Sequence, residues 1–262
     1  MYADHNSCLF FSAVASVTMD ESATGKKTRQ AIAGQLESFL GRYFLSAGFD
    51  QASLQSGQFR DMESSLLYYL NETMTNAIKA QQIDYLARTH RPSLDLEQPS
   101  DREQALSLFE KYKQEHNGFL RKQSENSPIR LINQALERTG KIPCLCMFQH
   151  KKNRSLVFTV YNFTGLRKID EKRYCERAAM ALKKNTDHSY TYHPATIVFD
   201  SGGGGANFGI YSSLQSLDSI FNINPRQTGL REIKNGRKTA VAAGLVIFAR
   251  QADSALGKKD LH

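Results

Sequence analysis

The stretch from Pro128 to Phe148 constrains the fold most, because it marks both ends of a helix and then begins a strand. Proline stands at the start of the predicted helix and Gly140 just after its last turn, which are the positions that these residues favour. The apolar run from Cys144 to Phe148 follows closely and is typical of a buried strand. We therefore expect an α+β fold, in which helices and a sheet pack together.

Apolar periodicity assigns much of the remaining chain to helices and strands. Helices are expected over 9–17, 28–45, 61–88, 99–120, 171–184 and 214–221, and strands over 155–163, 195–199, 207–211 and 241–249. The polar stretches 20–27, 46–60 and 224–239 are expected to form turns and loops, and the tail from 251 to fray. These assignments predict a single domain over 1–262 that carries an inserted helical lobe at 46–125.

The net charge of +8 favours an acidic or polyanionic partner surface, but the basic residues are not gathered into one tract. The densest runs cover 150–154, 167–173 and 183–184. No RNA- or DNA-binding motif accompanies them, so we expect no nucleic-acid partner. No stretch has the about 18 apolar residues that a membrane-spanning helix needs, and the N-terminal segment lacks the basic start of a signal peptide. A soluble protein is expected.

The four cysteines do not have the spacing of a disulfide framework, which favours a reducing compartment. Cys144 and Cys146 lie two apart in a predicted strand, so both side chains point to one face. Together with His150 they are too sparse for a tetrahedral zinc site. We expect no metal and no cofactor.

The strongest chemical signal lies in the first twenty residues. Cys8 follows a short polar loop and precedes an apolar run, 9–17, that has helical spacing. The N-terminal end of a helix stabilises a thiolate and so lowers the thiol pKa, while loop N–H groups can hold an oxyanion. The alternative is a buried core cysteine on an apolar helix.

The run from Asp4 to Phe10 reads Asp-His-Asn-Ser-Cys-Leu-Phe and resembles the nucleophile loop of ovarian-tumour (OTU) family cysteine proteases. That family consists largely of deubiquitinases. The helix–Gly–Pro–strand order of 128–148 is similar to a core segment of the same family. The resemblance implies a papain-like core with a mostly antiparallel central sheet flanked by helices. In that core Cys8 is the nucleophile, Asp4 belongs to the catalytic set, and the loop of Asn6 and Ser7 binds the oxyanion. It also implies ubiquitin or polyubiquitin as the partner.

A thiol nucleophile needs an imidazole base and usually a third group that orients the ring. His193 and His188 lie at the start of a predicted strand that ends at Asp200. His193, oriented by Asp200 or by Asn207 across a hairpin closed by the glycines 202–205, would satisfy the order of papain-like folds. His188 is the alternative base. A single histidine before a strand is also commonly structural.

The chain departs from the OTU pattern late in the sequence. The family's base opens a strand as part of a His–aromatic pair, whereas this chain has Ile210-Tyr211 at that place. Residues 198–201 and 207–209 are instead similar to the His-strand-Asp half of YopT-like bacterial effector proteases, which are also papain-like.

The leading expectation is a cysteine isopeptidase that hydrolyses ubiquitin chains, with the lobe at 46–125 as a ubiquitin-binding attachment. Such a protein would be a bacterial effector that reaches a host cytosol by a route independent of a signal peptide. The alternatives are a papain-like protease, deamidase or acyltransferase with another protein substrate, or a catalytically dead binding module.

Overall fold

The computed structural model describes residues 13–16, 21–120, 128–139, 142–182, 206–235 and 238–257. The helices are Glu21–Ser46 (α1), Gln51–Leu54 (α2), Gly57–His90 (α3), Pro99–Leu120 (α4), Pro128–Arg138 (α5), Lys168–Ala181 (α6), Ala206–Phe221 (α7) and Ala249–Ala255 (α8). The strands are Ala13–Ser16 (β1), Cys144–Gln149 (β2), Leu156–Asn162 (β3), Thr228–Asn235 (β4) and Lys238–Ile247 (β5). A short 3₁₀ turn, Pro225–Gln227, precedes β4.

The five strands form one open sheet in the order β1-β2-β3-β5-β4. Every neighbouring pair is antiparallel. The register places Cys146 opposite Val14 on one side and Thr159 on the other, and Phe158 opposite Leu245. The expected α+β class with an antiparallel sheet is confirmed.

One face of the sheet packs against helices and forms the main core. Its inward-facing residues are Leu145 and Met147 on β2, Leu156, Phe158 and Val160 on β3, and Ala243, Leu245 and Ile247 on β5. Helices α1, α3 and α7 cover them, and the rings of Phe39 and Phe158 meet edge to face at 5.9 Å between centroids. Each such buried side chain contributes about 1.5–3 kcal/mol through loss of apolar surface to water.

Helix α3 joins this core to a second one. Its 34 residues begin at an N-cap, Ser56, whose hydroxyl accepts a hydrogen bond from the Phe59 N–H at 3.2 Å. Its second half packs with α4 and α5 in a cluster that includes Leu86, Phe109, Ile132 and Leu136. The range 46–125 therefore contributes to both cores, and its assignment as an inserted lobe of a single domain stays a prediction.

Several predicted elements are confirmed at nearly their expected bounds: the helices at 61–88, 99–120, 128–139 and 171–184, and the strands at 144–148, 155–163 and 241–249. Caps and turn residues explain this agreement. Helix α3, for example, ends at His90, just before Arg91-Pro92, and the residue before a proline disfavours helical geometry.

The predicted helix over 9–17 is wrong at Ala13–Ser16, which forms strand β1. Four residues are too few to separate the helical from the strand period, and pairing with the open edge of β2 decides the outcome. The expected turn at 20–27 is also wrong, because α1 begins at Glu21. The expected loop at 46–60 contains α2 and the start of α3.

The strand predicted at 207–211 is wrong, because these residues form the first part of α7. The buried residues Ile210, Leu214, Leu217 and Phe221 recur at helical spacing and place α7 in the main core. A Cβ at Gly209 would overlap the Glu72 carboxylate of α3, so a larger residue there would displace the end of that side chain. The expected loop at 224–239 contains β4, and the expected frayed tail contains α8.

Candidate functional site

The residues predicted to form a thiol site lie outside the described part of the chain. They are Asp4, Asn6, Ser7, Cys8, His188, His193 and Asp200. Asn207 lies in the first turn of α7, where only its backbone is described. The hairpin expected to place Asn207 on a strand beside His193 is therefore not formed as predicted.

Strand β1 changes the expected surroundings of Cys8. The helix expected behind this thiol was to run through residue 17, but Ala13 already lies opposite Met147 in the sheet. The helix predicted over 9–17 therefore does not include residues 13–16, and Cys8 itself lies outside the described residues. The backbone N–H groups of the loop remain as the expected oxyanion donors.

Ile210 occupies the place at which the OTU pattern expects a catalytic histidine. It lies on α7, is 7% exposed and belongs to the main core. Its neighbours are apolar side chains at a helix interface, and it does not stand at the beginning of a strand. This position therefore serves packing.

Cys144 and Cys146 are half-buried and lie on the same side of β2, as the strand period predicts. A hydrogen bond from the Cys144 thiol lowers the pKa of Cys146 to about 7, and the same bond raises the pKa of Cys144. Within the described ranges, no three His, Cys, Asp or Glu side chains are placed to hold a metal ion. The pair is a local thiol site without the ligands of a closed metal centre.

A partly open cavity of about 220 Å³ lies between α3, α4, α6 and the loop after β3. Its apolar lining consists of Ala77, Ala80, Ile83, Leu106, Val160, Leu166, Ile210, Leu230, Val241 and Ala243. Polar side chains from Thr73, Asn76, Asn162 and Thr164 also reach it. The cavity thus has an extended apolar surface with polar groups at one part of its wall.

Five basic side chains line the described part of this cavity, beside the carboxylate of Asp170. They are Lys79 from α3, Arg102 from α4, Arg167 from the loop before α6, and Arg173 and Arg177 from α6. The basic run 167–173 is visible in the sequence, whereas Lys79 and Arg102 come from distant helices. Only the packing of α3, α4 and α6 brings these charges together.

Carboxylates hold two of the guanidinium groups in place. Asp170 accepts hydrogen bonds from Arg102 and, through its second oxygen, from Arg167 Nη1 at 3.4 Å. Arg167 Nη2 also donates to Asp84 Oδ1 at 2.8 Å. The orientations of Arg102 and Arg167 are therefore set before any ligand binds.

Lys79 Nζ lies 3.2 Å from Glu110 Oε1. Asp84, Asp170 and Glu110 thus supply carboxylates to Lys79, Arg102 and Arg167. Burial lowers the pKa of Arg102, and repulsion from Arg173 and Arg167 lowers it further, while Asp170 opposes the shift. Positive charge is concentrated in a site with limited access to water.

Two buried polar atoms at this wall lack a hydrogen-bond partner among the described residues: Arg102 Nη1 and Asn162 Oδ1. Leaving a buried donor or acceptor unpaired costs about 1–3 kcal/mol. Such atoms beside a cavity are expected where a ligand or water completes the hydrogen bonds.

Tyr174, another lining residue, is fixed by hydroxyl groups behind the wall. Its hydroxyl contacts Thr228 Oγ1 and lies 3.1 Å from the Tyr69 hydroxyl. Burial raises the pKa of Tyr174 well above its usual value, and the neighbouring Tyr69 adds to the shift. The hydroxyl therefore stays protonated, and its contacts hold the ring in place as part of the cavity wall.

Comparison of the chain with protein-family models, curated proteins and solved structures finds no match. Among the described residues, none of the helices combines the length and the apolar character that crossing a membrane requires.

Proposed function

We propose that the chain is a cysteine isopeptidase of OTU type, with a papain-like core, that hydrolyses ubiquitin chains. The observation that carries the proposal is the run from Asp4 to Phe10, in which a polar loop leads directly into Cys-Leu-Phe. The order of helix α5, Pro143 and the buried strand β2 supports it, because the OTU core segment has the same order.

In this proposal the Cys8 thiolate attacks the isopeptide carbonyl, and the backbone N–H groups from Asn6 to Cys8 stabilise the oxyanion. His193, or His188, takes the thiol proton and donates it to the departing lysine amine. Water then hydrolyses the thioester and restores the thiol. Asp4, Asp200 or Asn207 supplies the group that orients the imidazole.

The cysteines support a reducing environment for this chemistry. Cys144, Cys146 and Cys175 are free thiols. Free thiols fit a host cytosol, because disulfides are rare in that compartment. The protein would reach this cytosol by delivery from a bacterium. Delivery of this kind belongs to the same proposal.

A ubiquitin probe with a thiol-reactive C-terminus tests the proposal on the full chain. We expect covalent labelling that Cys8→Ala abolishes and Cys175→Ala leaves unchanged. Cleavage of ubiquitin chains should also fall by at least a hundredfold in His193→Ala and remain in His188→Ala if His193 is the base. A folded wild-type chain that the probe fails to label would contradict the proposal.

A second candidate function is ubiquitin binding without catalysis. It is favoured by Ile210, a core residue at the place where the OTU pattern expects a histidine. In that case ubiquitin binds with the same affinity to the wild type and to Cys8→Ala, and neither turns it over. Binding measured by calorimetry alongside chain cleavage separates the two functions.

The similarity of 198–201 and 207–209 to YopT-like effector proteases favours the same thiol chemistry on another protein substrate. A protease, deamidase or acyltransferase of this kind would still require Cys8. Mass spectrometry of substrates distinguishes it, because a deamidated glutamine gains about one dalton and no isopeptide bond is cut.

A further inference from the structure

We propose that the cavity between α3, α4 and α6 binds a small phosphate monoester, with the phosphate at the basic wall and an apolar body against the lining from α3 and the sheet. The proposed site consists of residues from α3, α4, α6 and the sheet, and it does not include Cys8.

The charge of the wall fits a phosphate dianion. Five basic side chains and one carboxylate, that of Asp170, line the described part of the cavity, and a phosphate monoester carries about −1.5 to −2 at pH 7. Four of the five are arginines, whose planar fork matches phosphate oxygens with two parallel hydrogen bonds.

The hydrogen-bond inventory points to the same ligand. Arg102 uses one of its terminal nitrogens for Asp170, and its other, Nη1, is buried without a partner in the described part of the chain. A phosphate oxygen is the strong acceptor that such a nitrogen lacks. Asn162, which is 7% exposed, presents an unpaired Oδ1 that an O–H or N–H on the ligand body would satisfy.

The basic wall is organised in advance. Asp170 and Asp84 hold Arg102 and Arg167, so binding does not have to order these two long side chains. Ordering of such a side chain costs about 0.5–1.5 kcal/mol when it occurs on binding. The Asp170 carboxylate repels an anion, and the excess of basic groups outweighs it.

Size and lining define the body of the ligand. The volume of about 220 Å³ exceeds the roughly 150 Å³ of a protein cavity that accepts benzene. An aromatic ring or a short alkyl chain therefore fits beside the phosphate, against Ala77, Ala80 and Val160. A nucleic-acid strand does not fit, because it needs a continuous groove for successive phosphates.

Phenyl phosphate, inorganic phosphate and phenol serve as probes, with binding to the full chain measured by calorimetry at low salt. We expect phenyl phosphate to bind at least tenfold more tightly than inorganic phosphate, and phenol not to bind. Arg177→Gln should weaken phenyl phosphate binding at least tenfold. The matched control is Lys172→Gln, which removes the same charge from α6 at a side chain 77% exposed and outside the cavity lining.

Ala80→Leu tests the apolar part, because leucine is compatible with α3 and fills the space beside the phosphate. It should abolish the higher affinity for phenyl phosphate over inorganic phosphate and leave weak binding of inorganic phosphate.

Thermal unfolding shows whether each variant folds. If Arg177→Gln does not fold, Arg177→Lys tests the same position with its charge kept. Equal binding of phenyl phosphate and inorganic phosphate, equal effects of Arg177→Gln and Lys172→Gln, or no binding would each overturn the proposal. Cys8→Ala should bind phenyl phosphate as the wild type does, which separates this result from the isopeptidase proposal.

Discussion

Asp84 on α3 and Arg167 before α6 form an ion pair with 2.8 Å between Oδ1 and Nη2, although 83 residues separate them in sequence. Their side chains are only 17% and 13% exposed. The second oxygen of Asp84 lies 2.9 Å from Arg88 Nε. The pair fixes the loop after β3 to α3 and so forms one wall of the basic cavity.

Asp84→Ala should destabilise the fold by about 2–3 kcal/mol, because it leaves the guanidinium of Arg167 largely buried without this partner. Urea unfolding measures the change. Glu176→Ala is the matched control: it breaks an exposed pair with Lys172, in which the side chains are 58% and 77% exposed. Its effect should stay below about 0.5 kcal/mol. If both variants lose the same free energy of unfolding, burial does not determine how much the Asp84–Arg167 pair stabilises the fold.

Phe158→Ala should cost about 3–5 kcal/mol, because the ring is buried among α1, α3 and the sheet and its removal leaves a cavity. Phe163→Ala, at an exposed phenylalanine just after β3, should cost less than about 1 kcal/mol. Unfolding in guanidinium chloride gives both values. A small effect of Phe158→Ala would contradict the placement of β3 in the core.

Tyr43 predicts a loss of stability at alkaline pH. Burial, and then repulsion from Asp253, raise the pKa of Tyr43 to about 12, while Arg154 opposes the shift. Between pH 10 and 12 the unfolded chain loses this phenolic proton and the folded chain keeps it. The free energy of unfolding therefore falls as pH rises, by about 1.4 kcal/mol per unit, and the contribution is fully present below pH 10.

Tyr43→Phe should remove this dependence. The variant keeps the buried ring and loses only the hydroxyl, so it should be nearly as stable as the wild type at pH 9. Between pH 9 and pH 11 the wild type should lose about 1 kcal/mol more than the variant, measured by urea unfolding. Tyr68→Phe, at an exposed tyrosine, should follow the wild type. Parallel losses in wild type and Tyr43→Phe would contradict the shift.

Cys146 should react readily with iodoacetamide near neutral pH, because the hydrogen bond from Cys144 lowers its pKa to about 7. Cys144→Ala removes that donor, so alkylation of Cys146 at pH 7 should slow several-fold. Mass spectrometry of the Cys146 peptide gives the rate, with exposed Cys175 as the internal reference. If the ratio of the two rates does not change in Cys144→Ala, the hydrogen bond does not control the thiol.

Little of the basic cavity could be predicted from the sequence. The run 167–173 was visible as a charge cluster, yet a cluster on a surface has the same appearance in sequence as one in a cavity. Lys79 and Arg102 join it because α3 and α4 pack beside α6. The predicted thiol site rests, in contrast, on contiguous residues from Asp4 to Phe10, and a contiguous loop is the kind of feature that sequence alone can reveal.

The sequence by itself determined the long helices α3 and α4, the helix α5 and the strands β2 and β3. In these elements the apolar period, the caps and the prolines all favour the same state, so local interactions suffice. Only the tertiary structure decided β1, β4 and the start of α7. The edge strands β1 and β4 are held by backbone hydrogen bonds to β2 and β5, which need no particular side chains. Residues 207–211 became helical because α7 packs against α3, where Ile210 gains a buried position in the main core.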